Sequence, residues 1–192
     1  MFKFTAPKQQ GPAYTLRMLL GTINSPIDAE SPKLKPFAHF TLACTSADET
    51  EKVSKAVANV IEYLGKPLSL KGEAVLNFGT KERPLWVIKL NLGEQEKALR
   101  EVLGKSFDSI MCPEQSGVCY QWTPNADNSE KCPHITVGTK DEDELLATKL
   151  VNDSCEFVFD QIDYKKVGPH DPHVSYALRP QQAAAASVSC AP

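Results

Sequence analysis

Two short segments carry the residues best suited to chemistry, Ala38-His39-Phe40-Thr41-Leu42 and Pro133-His134-Ile135-Thr136-Val137. Each reads apolar or Pro, His, apolar, Thr, apolar. Successive side chains on a strand point to opposite faces, so His and Thr two apart share a face. Each segment then offers one imidazole beside one hydroxyl, with Phe40 or Ile135 packed behind. Two such segments facing each other would supply a general base, a general acid and two hydroxyl donors for an anion between them. A single His-x-Thr carries little weight, and a partly buried strand histidine is its ordinary meaning. Two copies weigh more, because the chain has only 4 His. His173-Val174-Ser175 fits a looser His-apolar-Ser/Thr form, so the surrounding elements must select the pair.

Those elements can be read in order. Residues 1–12 form a polar arm, and Ala13 to Ile23 reads as a strand. A Pro-containing loop leads to the first His strand, Pro36 to Cys44. Ser46-Ala47-Asp48-Glu49 has the form of a capping box. Val53, Ala56, Val57, Val60, Ile61 and Leu64 follow at helical spacing, with Gly65 as the stop. Pro67 to Phe78 and Leu85 to Leu92 read as strands joined by a turn that carries Lys81 and Arg83. Glu94 to Leu103 reads as a helix and Val118 to Thr123 as a strand, followed by a turn-rich loop. Cys132 to Gly138 is the second His strand. Thr139-Lys140-Asp141-Glu142 is a second capping box, and Leu145, Leu146, Leu150 and Val151 mark its helix. Cys155 to Val167 and His173 to Leu178 are the last strands, and residues 181–192 are a small-residue tail with little to bury.

One order occurs twice: strand, loop, His-x-Thr strand, capped helix, long strand, basic turn, strand. In it the turn with Lys81 and Arg83 corresponds to one with Lys165 and Lys166. His173 has no such surroundings. The repeat therefore selects His39 and His134, and a pseudo-twofold would set them face to face.

Composition narrows the class. The 192 residues suit one domain, and 42% hydrophobic residues suffice for a core. A net charge of −3 argues against a general nucleic-acid coat, which needs a basic face. No apolar run approaches the roughly 20 residues that span a bilayer. The first ten residues lack the apolar centre of a signal peptide. The 6 Cys show no C-x-x-C and no zinc spacing, so they read as reduced thiols. The chain is accordingly read as a soluble, intracellular (cytoplasmic) protein and a monomer.

The two His-x-Thr strands, with the order of elements around them, resemble the 2H phosphoesterase superfamily, the LigT-like or cyclic phosphodiesterase group. The likeness runs from about Tyr14 to Pro180. It implies an α+β, bilobal fold in which two pseudo-twofold-related antiparallel sheets with flanking helices line a central cleft. Lobe one would cover residues 13–92 and lobe two residues 93–180. It implies cleavage of ribonucleotide 2′,5′ or 2′,3′-cyclic phosphodiester bonds without metal or cofactor. His39 and His134 would be catalytic, and Thr41 and Thr136 would hold phosphate. The partner is then a small nucleotide or a short oligoribonucleotide. Degradation of a 2′,5′-oligoadenylate or cyclic nucleotide signal is the leading expectation. RNA-end processing, by cyclic phosphate opening or a ligase-like reaction, and a catalytically idle nucleotide-binding module are the alternatives.

Other residues have two readings each. Tyr120 and Trp122 share a strand face and suit either base stacking or core packing. Lys81, Arg83 and Lys165 suit phosphate contact or a solvated turn. Arg17 lies mid-strand, facing either cleft or solvent. Trp86 reads as core. His170-Asp171-Pro172-His173 reads as a polar loop rather than a metal site.

Overall fold

The structure is a computed structural model and describes residues 14–26, 34–45, 50–95, 98–99, 101–102, 132–166 and 174–178. Seven strands and two full helices run in the order β1 (Tyr14–Asn24), β2 (His39–Thr45), α1 (Thr50–Leu64), β3 (Leu68–Asn77), β4 (Trp86–Asn91), β5 (His134–Gly138), α2 (Asp141–Asn152), β6 (Glu156–Lys166) and β7 (Val174–Ala177). Residues 95, 98, 99, 101 and 102 also have helical backbone, within the expected helix after β4. The expected strand with Tyr120 and Trp122, the first capping box, His170, His173 and both termini lie outside the described residues.

The architecture is α+β, and every strand pairing is antiparallel. The strands form one sheet in the order β2-β1-β6-β3-β4-β5, where two separate sheets were expected. β6 is the reason. It pairs with β1 along its whole length. Its other edge is shared, with β3 against Glu156–Phe159 and β7 against Gln161–Tyr164. An 11-residue strand is long enough to serve both, so it welds what would otherwise be two sheets.

One face of this sheet is apolar and carries the helices. Phe40, Met18, Ile162 and Tyr176 pair in one row across β2, β1, β6 and β7. The Tyr176 hydroxyl lies 2.6 Å from Ser54 Oγ of α1, which fixes that helix over the row. Phe40 meets Phe159 edge to face at 4.8 Å. Phe157, two residues earlier, shares a cluster with Leu70, Ile88 and Leu150 under α2. Residues of this face, with Val53, Ala56, Val57, Val60 and Ala147 of the helices, are almost fully buried. Their removal from water is the main force holding helices to sheet.

The opposite face carries no helix among the described residues, yet Arg17, Asp163 and Lys165 on it are 7%, 2% and 9% exposed. β2 and β5 stand at the two ends of the strand order, but their Cα atoms come within 8 Å. The sheet curls toward its free face until its ends meet.

Two expectations on α2 need correction. Its N-cap is Lys140, not Thr139, and Asp143 Oδ2 accepts the Lys140 backbone N–H at 2.9 Å. Gly138 lets that carboxylate in, because a Cβ there would overlap it. Leu145, expected on the apolar side, is 71% exposed. Its buried residues are Ala147 and Leu150, with Leu146 and Val151 packed against the core beside them.

Candidate active site

His39 opens β2 and His134 opens β5. Phe40 and Ile135 point into the core, so the alternation of a strand sends His39, Thr41, His134 and Thr136 to the concave face. The closure of the sheet makes their two strands neighbours. Both imidazoles and Thr41 are half-buried, and Thr136 is exposed.

Each histidine is held the same way. His39 Nδ1 lies 2.8 Å from the Phe37 carbonyl oxygen, and His134 Nδ1 lies 2.7 Å from the Cys132 carbonyl oxygen. A carbonyl only accepts, so Nδ1 carries a proton and donates in both. Nε2 is left able to accept a proton when neutral and to give one when protonated. Phe37 presents its carbonyl from a left-handed backbone, φ 63°, although 67% of the residue is exposed. Its turn is pinned by Ala38 N–H to Lys35 O at 3.2 Å and Leu20 N–H to Ala38 O at 2.8 Å. On the other side, Phe78 meets the His134 ring edge to face at 4.8 Å.

Burial pushes both imidazoles below their ordinary pKa, because a charged ring loses water there. The carbonyl bond opposes this in each case. His39 also feels charges: Arg17 and Lys165 lower its pKa further and Asp163 raises it.

Those charges form a cluster the sequence did not reveal as one. Thr41, Arg17, Asp163 and Ser175 pair in a single row across β2, β1, β6 and β7, on the concave face. Arg17 Nε donates to Asp163 Oδ1 at 2.8 Å, and Nη2 donates to Oδ2. Gln161, in the row of His39, donates through Nε2 to Ser175 Oγ of this row. The signal was the alternation of Gln161, Asp163 and Lys165 with Ile162 and Tyr164. Lys165 was expected in a basic turn. It lies inside β6 and is buried, because β6 runs on through Lys166 to cover β1.

Arg17 and Lys165 thus stand near His39, whereas Lys81 and Arg83 are exposed on the turn between β3 and β4. Asn77 Oδ1 shapes that turn by accepting the N–H groups of Gly79 and Leu85 at 2.8 and 3.0 Å. Trp86 is half-buried, and its Nε1–H is buried without a partner. Lys89, paired with His134 across the strands, forms an ion pair with Glu73 at 2.9 Å. Among the described residues no three His, Cys, Asp or Glu converge as a metal site. No helix there is long and apolar enough to cross a membrane.

No family model matches the sequence, and no curated protein matches it. Among solved structures the chain is similar to that titled Structure of Kluyveromyces marxianus Usb1. The TM-score is 0.42 at 8% identity, over 81% of this chain and 94% of that one.

Proposed function

We propose that the protein is a phosphodiesterase of the 2H type, cutting ribonucleotide 2′,5′ or 2′,3′-cyclic phosphodiester bonds. The observation that carries this reading is the matched pair of histidines. Both sit on one face of one sheet, both fix Nδ1–H on the carbonyl two residues earlier, and each has a Thr hydroxyl as its neighbour on that face. One Nε2 takes the proton from an attacking water or ribose hydroxyl. The new P–O bond forms as the old one breaks, and the other imidazole gives its Nε2 proton to the departing ribose oxygen. Thr41 and Thr136 donate to the non-bridging oxygens as charge builds there. The working groups are two imidazoles and two hydroxyls, so the proposed chemistry needs no metal. A small nucleotide or short oligoribonucleotide is the proposed substrate, since a net charge of −3 gives little general attraction for long nucleic acid.

The test is a panel of adenosine 2′,3′-cyclic phosphate, a 2′,5′-oligoadenylate and an RNA ending in a 2′,3′-cyclic phosphate. Each is incubated with the protein, with and without EDTA, and products are read by mass. Turnover of at least one, insensitive to EDTA and lost in both His→Ala variants, is expected. Binding without turnover across the panel would reduce the protein to a nucleotide-binding module. Turnover of the RNA end alone would make it an RNA-processing enzyme.

A further inference from the structure

Lys165 is out of place for a structural residue. It is 9% exposed, and lysine is rarely buried that deeply without a counter-charge. Among the described residues its ammonium has no hydrogen-bond or ion-pair partner, since the carboxylate two residues away is taken by Arg17. The ammonium keeps contact with solvent, because the one buried side-chain nitrogen without a partner there is Trp86 Nε1. The side chain therefore reaches through the concave face and ends at its surface.

Among the described residues its surroundings leave a surplus of positive charge. Arg17 and Asp163 cancel, and Lys165 adds one unit. The Asp163 contacts use Arg17 Nε and Nη2, which leaves Nη1 as a remaining donor. Arg17 is one strand from Thr41 in the same row, and Lys165 is a strand further and one row on. Strand spacing and rise place the Lys165 Cα roughly 12 Å from the Thr41 Cα. An extended lysine spans much of that gap, so its ammonium falls beside a phosphate held at Thr41 rather than on it. The His134 side is different. Its cross-strand neighbour, Lys89, is already paired with Glu73 at the protein surface.

We propose that Lys165 and Arg17 form a subsite for a second phosphate, so that the preferred substrate is a ribonucleotide carrying another phosphate beside the bond that is cut. A 5′-phosphate and the next diester of an oligonucleotide both offer that group. The subsite rests on the proposed function for its first phosphate, the one held at His39 and Thr41. An ammonium meeting a phosphate forms a charge-assisted bond of the stronger class.

The experiment compares ligands that differ only in the second phosphate. Adenosine 2′-monophosphate and adenosine 2′,5′-bisphosphate are titrated calorimetrically into the wild type, Lys165→Gln and Lys165→Arg. The wild type should bind the bisphosphate at least about 10-fold more tightly, the scale of one charged hydrogen bond. Lys165→Gln should erase that gap while holding the monophosphate within about 2-fold, and Lys165→Arg should keep the gap. Equal binding of the two ligands by the wild type, or binding of neither, overturns the proposal. So does an equal loss on both ligands in Lys165→Gln, which would be the mark of a packing role. A turnover arm compares adenosine 2′,3′-cyclic phosphate with its 5′-phosphorylated form. A binding gap without turnover of either would sink the proposed reaction and leave the subsite standing. Turnover of both at one rate, with no binding gap, would sink the subsite alone.

Discussion

His39 is aimed by Phe37: its Nδ1–H bonds the Phe37 carbonyl oxygen at 2.8 Å, and Phe37 adopts φ 63° to present that oxygen. A non-glycine residue there costs on the order of 1–2 kcal/mol, because Cβ crowds the following carbonyl. The residue is 67% exposed, so its ring contributes little packing. Phe37→Gly should therefore hold or raise stability and leave turnover within a few-fold. Phe37→Val, β-branched and poorly suited to positive φ, should cost about 1–3 kcal/mol and slow turnover by displacing the carbonyl. Thermal melts and steady-state rates on both variants check this. A Gly variant as damaged as the Val variant would show that the phenyl ring, not the backbone, is needed.

The anchoring of His134 on Cys132 repeats this carbonyl bond at 2.7 Å, so the two imidazoles are held alike. His39→Ala and His134→Ala should each lower turnover by several orders of magnitude and keep the fold. The double variant should be little worse than either single one, because groups acting as a unit are not additive. His173→Ala should cost far less. Comparing the four variants decides it: losing activity with His173 and keeping it without His39 would refute the choice of pair.

The His-x-Thr pairs were legible because a strand's two-residue alternation is local. The same holds for α1, whose apolar residues recur at helical spacing and whose end at Gly65 is confirmed by φ 61°. What no local pattern carries is pairing between distant strands. The weld of β3 and β7 onto one edge of β6 depends on contacts far apart in the chain, and so does the meeting of β2 and β5. Lys165 was misread for the same reason. The expected strand, Cys155 to Val167, already held Lys165 and Lys166, but only pairing with β1 shows that Lys165 is buried in it instead of standing on a solvated basic turn. Arg17 and Asp163 lie far apart in sequence, and only the register β1–β6 makes them a pair.

Thr41 and Thr136 should not respond alike to conservative change. Thr→Ala at either should lower turnover by about 10²-fold, the scale of losing one oxyanion donor. Thr136 is exposed, so Thr136→Ser keeps all that matters and should be nearly silent. Thr41 is half-buried beside the Arg17 row, so Thr41→Ser also removes a packed methyl and should cost slightly more. Rates on one substrate for the four variants test this. A Thr136→Ser as inactive as Thr136→Ala would mean that its methyl, not its hydroxyl, is used.

Asp163→Ala should be the most destabilising single change on the concave face. It leaves the Arg17 guanidinium buried without its partner, at a cost of about 3–5 kcal/mol. Replacing both, as in Arg17→Met with Asp163→Leu, removes two buried charges together and should recover much of that stability. Denaturant midpoints of the single and double variants measure the difference. A double variant no more stable than Asp163→Ala would show that the pair itself is needed for the fold.

The pH dependence follows from the lowered histidine pKa values. The proposed reaction needs one imidazole neutral and the other protonated, so the rate should follow a bell. Its acid limb is loss of the base as pH falls through that group's pKa. Its alkaline limb is loss of the acid as pH rises through the other's. Burial lowers both values in the free protein, so kcat/KM should peak on the acid side of an ordinary histidine near 6.5. Stability carries the same sign. Below that ordinary value the unfolded chain binds protons that the folded chain refuses. Stability should therefore fall as pH drops from about 6.5 through the folded values, and part of that fall should vanish in His39→Ala and His134→Ala. Rates and melts from roughly pH 4 to 9 read both effects. A kcat/KM bell centred well above 6.5 would mean that burial does not set the charge state of this pair.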